Sequence, residues 1–279
     1  MLLRDLVATR ATLLESAGVP SPVVDAEILL AFSLGISRSD LQLKIVMNET
    51  VDDYETFDAL IARRAEREPL QHLTGVAHFR NLELKVGKGV FVPRPETELL
   101  AGFAVEAALA LDSSIVVDLC AGSGAVGLAV ATEIRTSQVW AVELSDEAIV
   151  FARENYKNYA PEAKLIHGDA AAGIPELNGL VDVLVSNPPY IPEAMVPIYP
   201  EVALHDPKLA LYSGADGLEL IRKLSKVGLE LVKPGGVFAM EHADSQSEAI
   251  SQLLLADGWQ DVADVLDLNG KPRMVTAKR

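Results

Sequence analysis

Apolar residues recur at helical spacing through the first seventy positions. Leu2, Leu3, Leu6, Leu13 and Leu14 share one stripe, as the buried face of an amphipathic helix requires. Ser21-Pro22 opens a second helix, VVDAEILLAFSLG, with proline in the first turn, where a backbone N–H has no partner to lose. That helix should stop at Gly35. Asp52 to Arg67 predicts a third, long helix halted before Pro69. The cluster Arg63, Arg64 and Arg67 on it reads as a solvated face. Between Thr74 and Val92 the period shortens to two, with Gly87 and Gly89 as punctuation. One or two short strands are expected there, as a hairpin joining two domains.

From Ser114 onward short apolar runs alternate with helical stretches. IVVDLC, VWAVELS, KLIHGD and VDVLVSNPPY come first; GGVFAMEH follows a helix over 216–232; WQDVADVLD and RMVTAKR finish the chain. Strands separated by helices build a parallel, doubly wound sheet. Only the turn Leu268-Asn269-Gly270 separates the last two strands, which is too short for a crossover, so that pair should be antiparallel. The expected fold is α/β, a Rossmann-like seven-stranded sheet. The expected domains are a helical one over 1–73, a β-hairpin linker over 74–92, and the sheet domain over 93–279. Seven strands with one antiparallel differ from a plain dinucleotide fold.

Charge narrows the choice of partner. The 279 residues carry a net charge of −16, and 49% of them are hydrophobic. Residues 1–92 hold 10 Lys and Arg against 13 Asp and Glu; the remainder holds 14 against 27. Proteins that bind nucleic acid directly present a basic surface to displace phosphate counterions, and the acidic C-terminal two-thirds offers none overall. The single cysteine, Cys120, permits no intrachain disulfide, in keeping with a reducing compartment. Arg4, Asp5 and Arg10 interrupt the only apolar stretch at the N-terminus, so no signal peptide is read. No uncharged run of 18 apolar residues suggests a membrane span. A cytoplasmic monomer is expected.

Two loops carry chemistry. Asp118 to Gly127, DLCAGSGAVG, lies between a strand and a helix, and Gly122, Gly124 and Gly127 match the G-x-G-x-x-G spacing. Glycines there allow a tight turn and close approach of a ligand to a helix N-terminus. Glu143 ends the next strand, where an acid accepts from ribose hydroxyls. Asp118 could hold the loop or the amino group of a methionine moiety. Asp169 ends the third strand, where its carboxylate or backbone neighbours can meet adenine. The loop alone fits NAD, FAD or S-adenosylmethionine.

The second loop decides among them. Asn187-Pro188-Pro189-Tyr190 follows the fourth strand, and ligands of open α/β sheets sit beyond the carboxyl ends of the strands. The Asn187 side-chain oxygen can accept from an –NH2 group, and Pro188 presents a carbonyl with no N–H of its own. Two acceptors fix both hydrogens of a planar –NH2 and aim its nitrogen at an electrophile. Tyr190 offers a ring face for stacking. An amide nitrogen is a poor nucleophile, so positioning is the main contribution left to the protein; it can supply about 7–11 kcal/mol. Acceptors also favour the positive charge that grows on nitrogen. His72, His78, His167, His205 and His242 lack metal-ligand spacing, and no metal is expected. His242 reads as structural.

These residues resemble a known family. An (S/D)NPP(Y/F) loop after strand four marks amino-methyltransferases acting on adenine, cytosine or glutamine nitrogens. Pro93-Arg94-Pro95-Glu96-Thr97-Glu98, SNPPYIPE over 186–193, and EVALHDPKLALYSGADGLELIRKL over 201–224 with KPGGVFAMEH after it resemble the release-factor glutamine methyltransferases in particular. Nearly the whole chain takes part, including a helical N-terminal domain and a hairpin. The resemblance implies that the substrate is the glutamine of the Gly-Gly-Gln motif in class-1 peptide chain release factors. Asn187, Pro188 and Pro189 would bind its amide, and Tyr190 would stack on it. Cys120, Ala121, Gly122, Ser123, Gly124, Glu143, Asp169, Ala170 and Asn187 would contact S-adenosylmethionine, leaving S-adenosylhomocysteine as product. Arg94, Glu96 and Thr97 would line the mouth near cofactor or substrate, and the N-terminal domain would help grip the release factor.

Two departures stand out. Cys120 replaces a glycine of the family pattern, and a backbone needing positive φ there would be strained, so the start of the loop is expected to differ. Ala170 stands where a bulky residue often follows the third-strand acid. An adenine N(6)-methyltransferase acting on DNA or RNA is the principal alternative, but it must flip a base and hold phosphates, for which a basic face is missing. A NAD-dependent oxidoreductase leaves Asn-Pro-Pro-Tyr without a role. The segment 191–213, with Pro192, Pro197, Pro200 and Pro207, reads as a lid that orders on substrate binding.

Overall fold

The structure, a computed structural model, describes all 279 residues. Five helices come first: α1 (Leu3–Ser16), α2 (Pro22–Leu34), α3 (Arg38–Val46), α4 (Glu55–Ala65) and the short α5 (Leu70–Thr74). Strands β1 (Val76–Phe79) and β2 (Leu82–Lys85) form a two-stranded sheet. Then follow α6 (Thr97–Leu109), β3 (Ser114–Leu119), α7 (Ala125–Glu133), β4 (Ser137–Glu143), α8 (Ala148–Tyr159), β5 (Lys164–His167) and β6 (Val181–Ser186). The chain continues through α9 (Pro200–His205), α10 (Glu219–Leu231), β7 (Val232–Glu241), α11 (Ser247–Asp257), β8 (Gln260–Leu266) and β9 (Pro272–Lys278). It divides into two compact units. One is Met1–Val76 with Pro197–His205; the other is Ala77–Val196 with Asp206–Arg279.

The first unit is built on α1, α2 and α4, whose Leu6, Leu14, Leu29, Leu30, Phe57 and Ile61 are buried together. Gly35 ends α2 in the left-handed region at φ 64°, as its position predicts. The third helix is shorter than Asp52–Arg67. The Asp53 carboxylate accepts from the Glu55 N–H at 3.2 Å and fixes its start, and Arg67 leaves helical geometry at φ 68°. The pattern did not single out α3, because only Leu41 on it is buried. Its N-terminus is marked instead by Ser37, which accepts from the Asp40 N–H at 3.0 Å and donates to the Asp40 carboxylate at 2.6 Å.

The arginine cluster does not form a solvated face. Phe57, Leu60, Ile61 and Arg64 follow helical spacing, and all four are buried. Arg64 therefore points inward from the core stripe of α4, at 5% exposure. Its guanidinium meets Asp25 of α2 at 2.8 Å and Glu201 of α9 at 3.0 Å. Arg67 adds two hydrogen bonds to Glu201, at 2.9 and 2.8 Å. Only Arg63 stays exposed, paired with Glu68. Buried charge is tolerated when paired and hydrogen-bonded, and each of these charges is.

In the second unit seven strands stand in the order β5-β4-β3-β6-β7-β9-β8. Every pairing is parallel except those of β9, which runs antiparallel to both β7 and β8. One face packs Leu100, Ala104, Leu128 and Val130 from α6 and α7. The other packs Ile221, Leu224, Ile250 and Trp259, with Phe238 stacked on Trp259 at 5.0 Å. Registers Leu119↔Ser186 and Ser186↔Met240 bring the carboxyl ends of β3, β6 and β7 level. The Ser186 hydroxyl locks the first pair by donating to the Leu119 carbonyl at 2.7 Å.

Candidate active site at the carboxyl edge of the sheet

The chain leaving β3 turns at once. Cys120, Gly122 and Gly124 have φ of 66°, 58° and 90°. Cys120 thus takes the left-handed geometry that favours glycine. Desolvation pushes its thiol up to about 12, helped by the Glu143, Asp118 and Asp169 charges. A Cβ on Gly122 would meet nothing within 4 Å, whereas one on Gly127 would stand 2.2 Å from the Tyr156 hydroxyl. The two glycines serve different ends: one keeps an open face at the loop, the other lets α7 pack.

Asp118 lies beneath this loop, 1% exposed, and its Oδ2 accepts from the Gly127 N–H at 2.9 Å. Through this bond it holds the loop to the start of α7. That burial pushes its pKa up to about 7, against the Gly127 N–H and with the Glu143 charge. Glu143 ends β4 and takes the Gly122 and Ser145 N–H groups, each at 2.7 Å, on separate oxygens. Each oxygen keeps a lone pair that ribose hydroxyls could use. Burial raises its pKa in spite of these N–H groups. Asp169 is exposed and its Oδ1 accepts from the Ala171 N–H at 2.8 Å, with Ala170 buried behind it. Ala121 donates to the Val142 carbonyl at 2.9 Å. Ser123 is buried, and its carbonyl accepts from Asn155 at 2.9 Å. Asn155, which the sequence did not single out, also bonds Lys85 through both its N–H and carbonyl, so it ties the hairpin to the loop.

Asn-Pro-Pro-Tyr leaves β6 beside this loop. The Asn187 Nδ2 donates to Thr97 Oγ at 3.3 Å. The Tyr190 hydroxyl donates to Glu241 Oε1 at 3.2 Å. Burial raises the Tyr190 pKa, and Glu241 adds to the shift. Glu241 itself is 3% exposed, and burial pushes its carboxyl up to about 7, opposed by Thr97 and the Arg273 charge. The Tyr190 carbonyl accepts from Gln246 Nε2 at 2.9 Å. Pro188 is buried, and Pro189 is half-buried. Arg94 pairs with Asp206 at 2.6 Å and lies over the Phe91 ring. Glu96 is half-buried, and its charge acts against that of Glu241. His242 is buried, with its ring nitrogens 2.9 and 3.0 Å from the Ala243 carbonyl and Asp264.

The sequence drew attention to His242 and passed over Glu241 beside it. The signal was available, since Glu241 is an acid at the carboxyl end of a parallel strand, as Glu143 is. Gln246 gave no such signal, because its role depends on the path of Tyr190.

A sheet in this order, with a glycine loop after β3 and Asn-Pro-Pro-Tyr after β6, is a Rossmann-like S-adenosylmethionine-dependent methyltransferase fold. A methyltransferase from Pyrococcus furiosus has the same fold, with TM-score 0.53 at 18% identity, over 78% of this chain and 98% of that one. Residues 5–75 match the PrmC N-terminal domain, and residues 95–197 match the methyltransferase small domain. The release factor glutamine methyltransferase of Streptomyces coelicolor is 48% identical, over 98% of this chain and 96% of its own. That of Corynebacterium glutamicum is 43% identical, over 99% and 97%. The chain belongs to the release factor glutamine methyltransferase family.

Proposed function

We propose that this chain transfers a methyl group from S-adenosylmethionine to the side-chain amide nitrogen of the glutamine in the Gly-Gly-Gln motif of class-1 peptide chain release factors. The observation that carries this reading is the state of two acceptors. Asn187 donates through Nδ2 to Thr97, while its Oδ1 and the Pro188 carbonyl take no hydrogen bond from the protein. They are free to hold the two hydrogens of an amide –NH2. The Tyr190 ring, tied at its hydroxyl, gives that amide a flat surface.

S-adenosylmethionine, when bound, supplies an electrophilic sulfonium methyl and departs as S-adenosylhomocysteine. Glu143 and the backbone from Cys120 to Gly124 would hold its ribose and methionine parts, with Asp169, Ala170 and Thr97 around them. Asn187 and Pro188 restrict the nitrogen to one approach, which is where the rate gain arises. Both acceptors favour the cation formed as the nitrogen gains its methyl group. That cation is acidic and loses its proton to water, so no strong base is needed. Pro189 and the Arg94–Glu96 stretch complete the substrate contacts, and the helical N-terminal unit grips the release factor. The protein would act as a cytoplasmic monomer without binding nucleic acid directly.

The ends of the segment 191–213 are tied, since Ile191 pairs with Leu211 and Ser213 through its N–H and carbonyl. Glu201 in its middle is held by Arg64 and Arg67, so the exposed stretch from Met195 to Tyr199 is the part that would order further on the release factor. The deciding experiment transfers labelled methyl from S-adenosylmethionine to a class-1 release factor, with a Gln→Ala factor and duplex DNA as rival acceptors. Label on the wild-type factor alone supports the reading; label on DNA replaces it with an adenine methyltransferase.

A further inference from the structure

Glu241 ends β7, and the register Ser186↔Met240 sets it level with Asn187. A carboxylate at 3% exposure is costly to bury and persists where it is paired. Its Oε1 takes the Tyr190 hydroxyl. The Thr97 hydroxyl lies beside the same carboxylate and favours its charged form. It closes no well-aligned bond, and Oε2 is left without a partner. Thr97 is also buried, and its oxygen accepts from Asn187 Nδ2.

A hydroxyl has one proton and two lone pairs. When ionised, the Glu241 carboxylate draws the Thr97 proton to its side, away from the Asn187 amide on the other. Only lone pairs then face Asn187, so the amide presents Nδ2 to Thr97 and Oδ1 to the open side. The orientation that two-acceptor recognition requires is thus imposed from behind Asn187.

We propose that Glu241 is a positioning residue for methyl transfer: it holds the Tyr190 ring by its hydroxyl and, through Thr97, turns the Asn187 amide so that its oxygen meets the acceptor nitrogen. The identity of that nitrogen rests on the function proposed above; the orientation of Asn187 does not. An amide at position 241 keeps the shape of the carboxylate but offers N–H groups where only acceptors stood. The Thr97 hydroxyl then accepts from it and donates to Asn187, whose amide turns over and meets the substrate –NH2 with N–H groups of its own.

The test compares wild type with Glu241→Gln, Thr97→Val, Thr97→Ser and the double variant Glu241→Gln/Thr97→Val. Methyl transfer to a release factor, S-adenosylmethionine affinity by calorimetry, and hydrogen exchange of the Asn187 Nδ2 protons by NMR are measured on each. Glu241→Gln and Thr97→Val should each lower kcat at least tenfold, with KM and cofactor affinity changed less than threefold in Glu241→Gln. Thr97→Ser, which keeps the hydroxyl, should leave the Asn187 Nδ2 exchange rate within twofold of wild type. The double variant should be no slower than the slower single one, as expected for residues acting in one chain. The Nδ2 protons should exchange at least tenfold faster in Glu241→Gln and in Thr97→Val. The proposal is overturned by a Glu241→Gln kcat within twofold of wild type, by losses that multiply in the double variant, by cofactor affinity falling as far as kcat in Glu241→Gln, or by unchanged exchange. Exchange needs no acceptor, so if wild type labels no release factor the substrate reading fails while the exchange rates still decide the role of Glu241.

Discussion

Gly217 lies so close to Tyr190 that a Cβ on it would stand 2.1 Å from the Tyr190 carbonyl oxygen and 2.7 Å from Gln246 Nε2, the donor to that carbonyl. Its φ is 77°. Gly217→Ala should displace the tyrosine. Left-handed strain of about 1–2 kcal/mol and overpacking of about 1–3 kcal/mol would add, and methyl transfer should fall at least tenfold. A urea midpoint and a rate both equal to wild type would refute the contact.

Asn187 and Glu143 should separate in their effects. Asn187→Ala removes an acceptor for the reacting nitrogen, so turnover should drop by more than about a hundredfold while cofactor affinity changes little. Glu143→Ala should chiefly weaken cofactor binding, because it removes ribose acceptors and frees the Gly122 N–H. Calorimetry with S-adenosylmethionine on both variants checks the split; equal losses of affinity would contradict it.

Cys120 occupies a backbone conformation that disfavours side chains. Cys120→Gly relieves about 1–2 kcal/mol of strain against about 0.5–1 kcal/mol of lost chain restriction. The variant should be at least as stable as wild type in guanidinium, and Cys120→Val should be less stable. The thiol, held protonated near neutrality, should react slowly with iodoacetamide at pH 7.5. Rapid labelling of the folded protein would refute that environment.

Asp118 should make stability depend on pH. Its pKa is raised to about 7 in the folded protein, so between about 4 and 7 the native state binds the extra proton. Stability from this group is fully present below the unfolded value of about 3.9 and is lost as pH rises through 7. Urea unfolding at pH 5.5 and 8 should show the lower pH favoured. Asp118→Asn, which keeps an acceptor for Gly127, should reduce the difference, leaving the part due to Glu241, whose carboxyl burial also pushes up to about 7; an unaltered slope would mean that Asp118 does not contribute.

Arg64 leaves two carboxylates behind when it is removed. Arg64→Met strands the buried Asp25 and should destabilise by about 3–5 kcal/mol. Asp25→Leu/Arg64→Met should recover most of that, since Glu201 retains Arg67. Failure of the second change to restore the urea midpoint would show that the pair stabilises by more than mutual neutralisation.

Much of this was legible along the chain, for reasons that vary by residue. The glycine loop, Glu143 and Asn187 announce themselves because each stands where a parallel strand ends, and strand ends can be read from short apolar runs. The antiparallel last strand followed from the brevity of the Leu268–Gly270 turn. Arg64 was misread because its charge outweighed its place on the stripe of Phe57 and Ile61; its partner Glu201 is 137 residues away. Thr97, Glu241 and Gly217 escaped a full reading for the same reason. Each acts through a contact across more than 25 residues, and a periodic pattern reports only neighbours along a turn or strand.

Glu201 also bears on how this protein can be taken apart. Pro197–His205 counts with the first seventy-six residues, so the chain leaves the methyltransferase unit seven positions after Tyr190 and returns to it before Asp206. No single cut yields both halves whole: trimming at Val76 takes away Arg64 and Arg67 and leaves Glu201 on the wrong side of the scissors. A helical domain grafted from elsewhere would have to bring its own pair of arginines to receive that glutamate. Neither half is one continuous stretch of sequence, so each can be kept whole only if the other is kept with it.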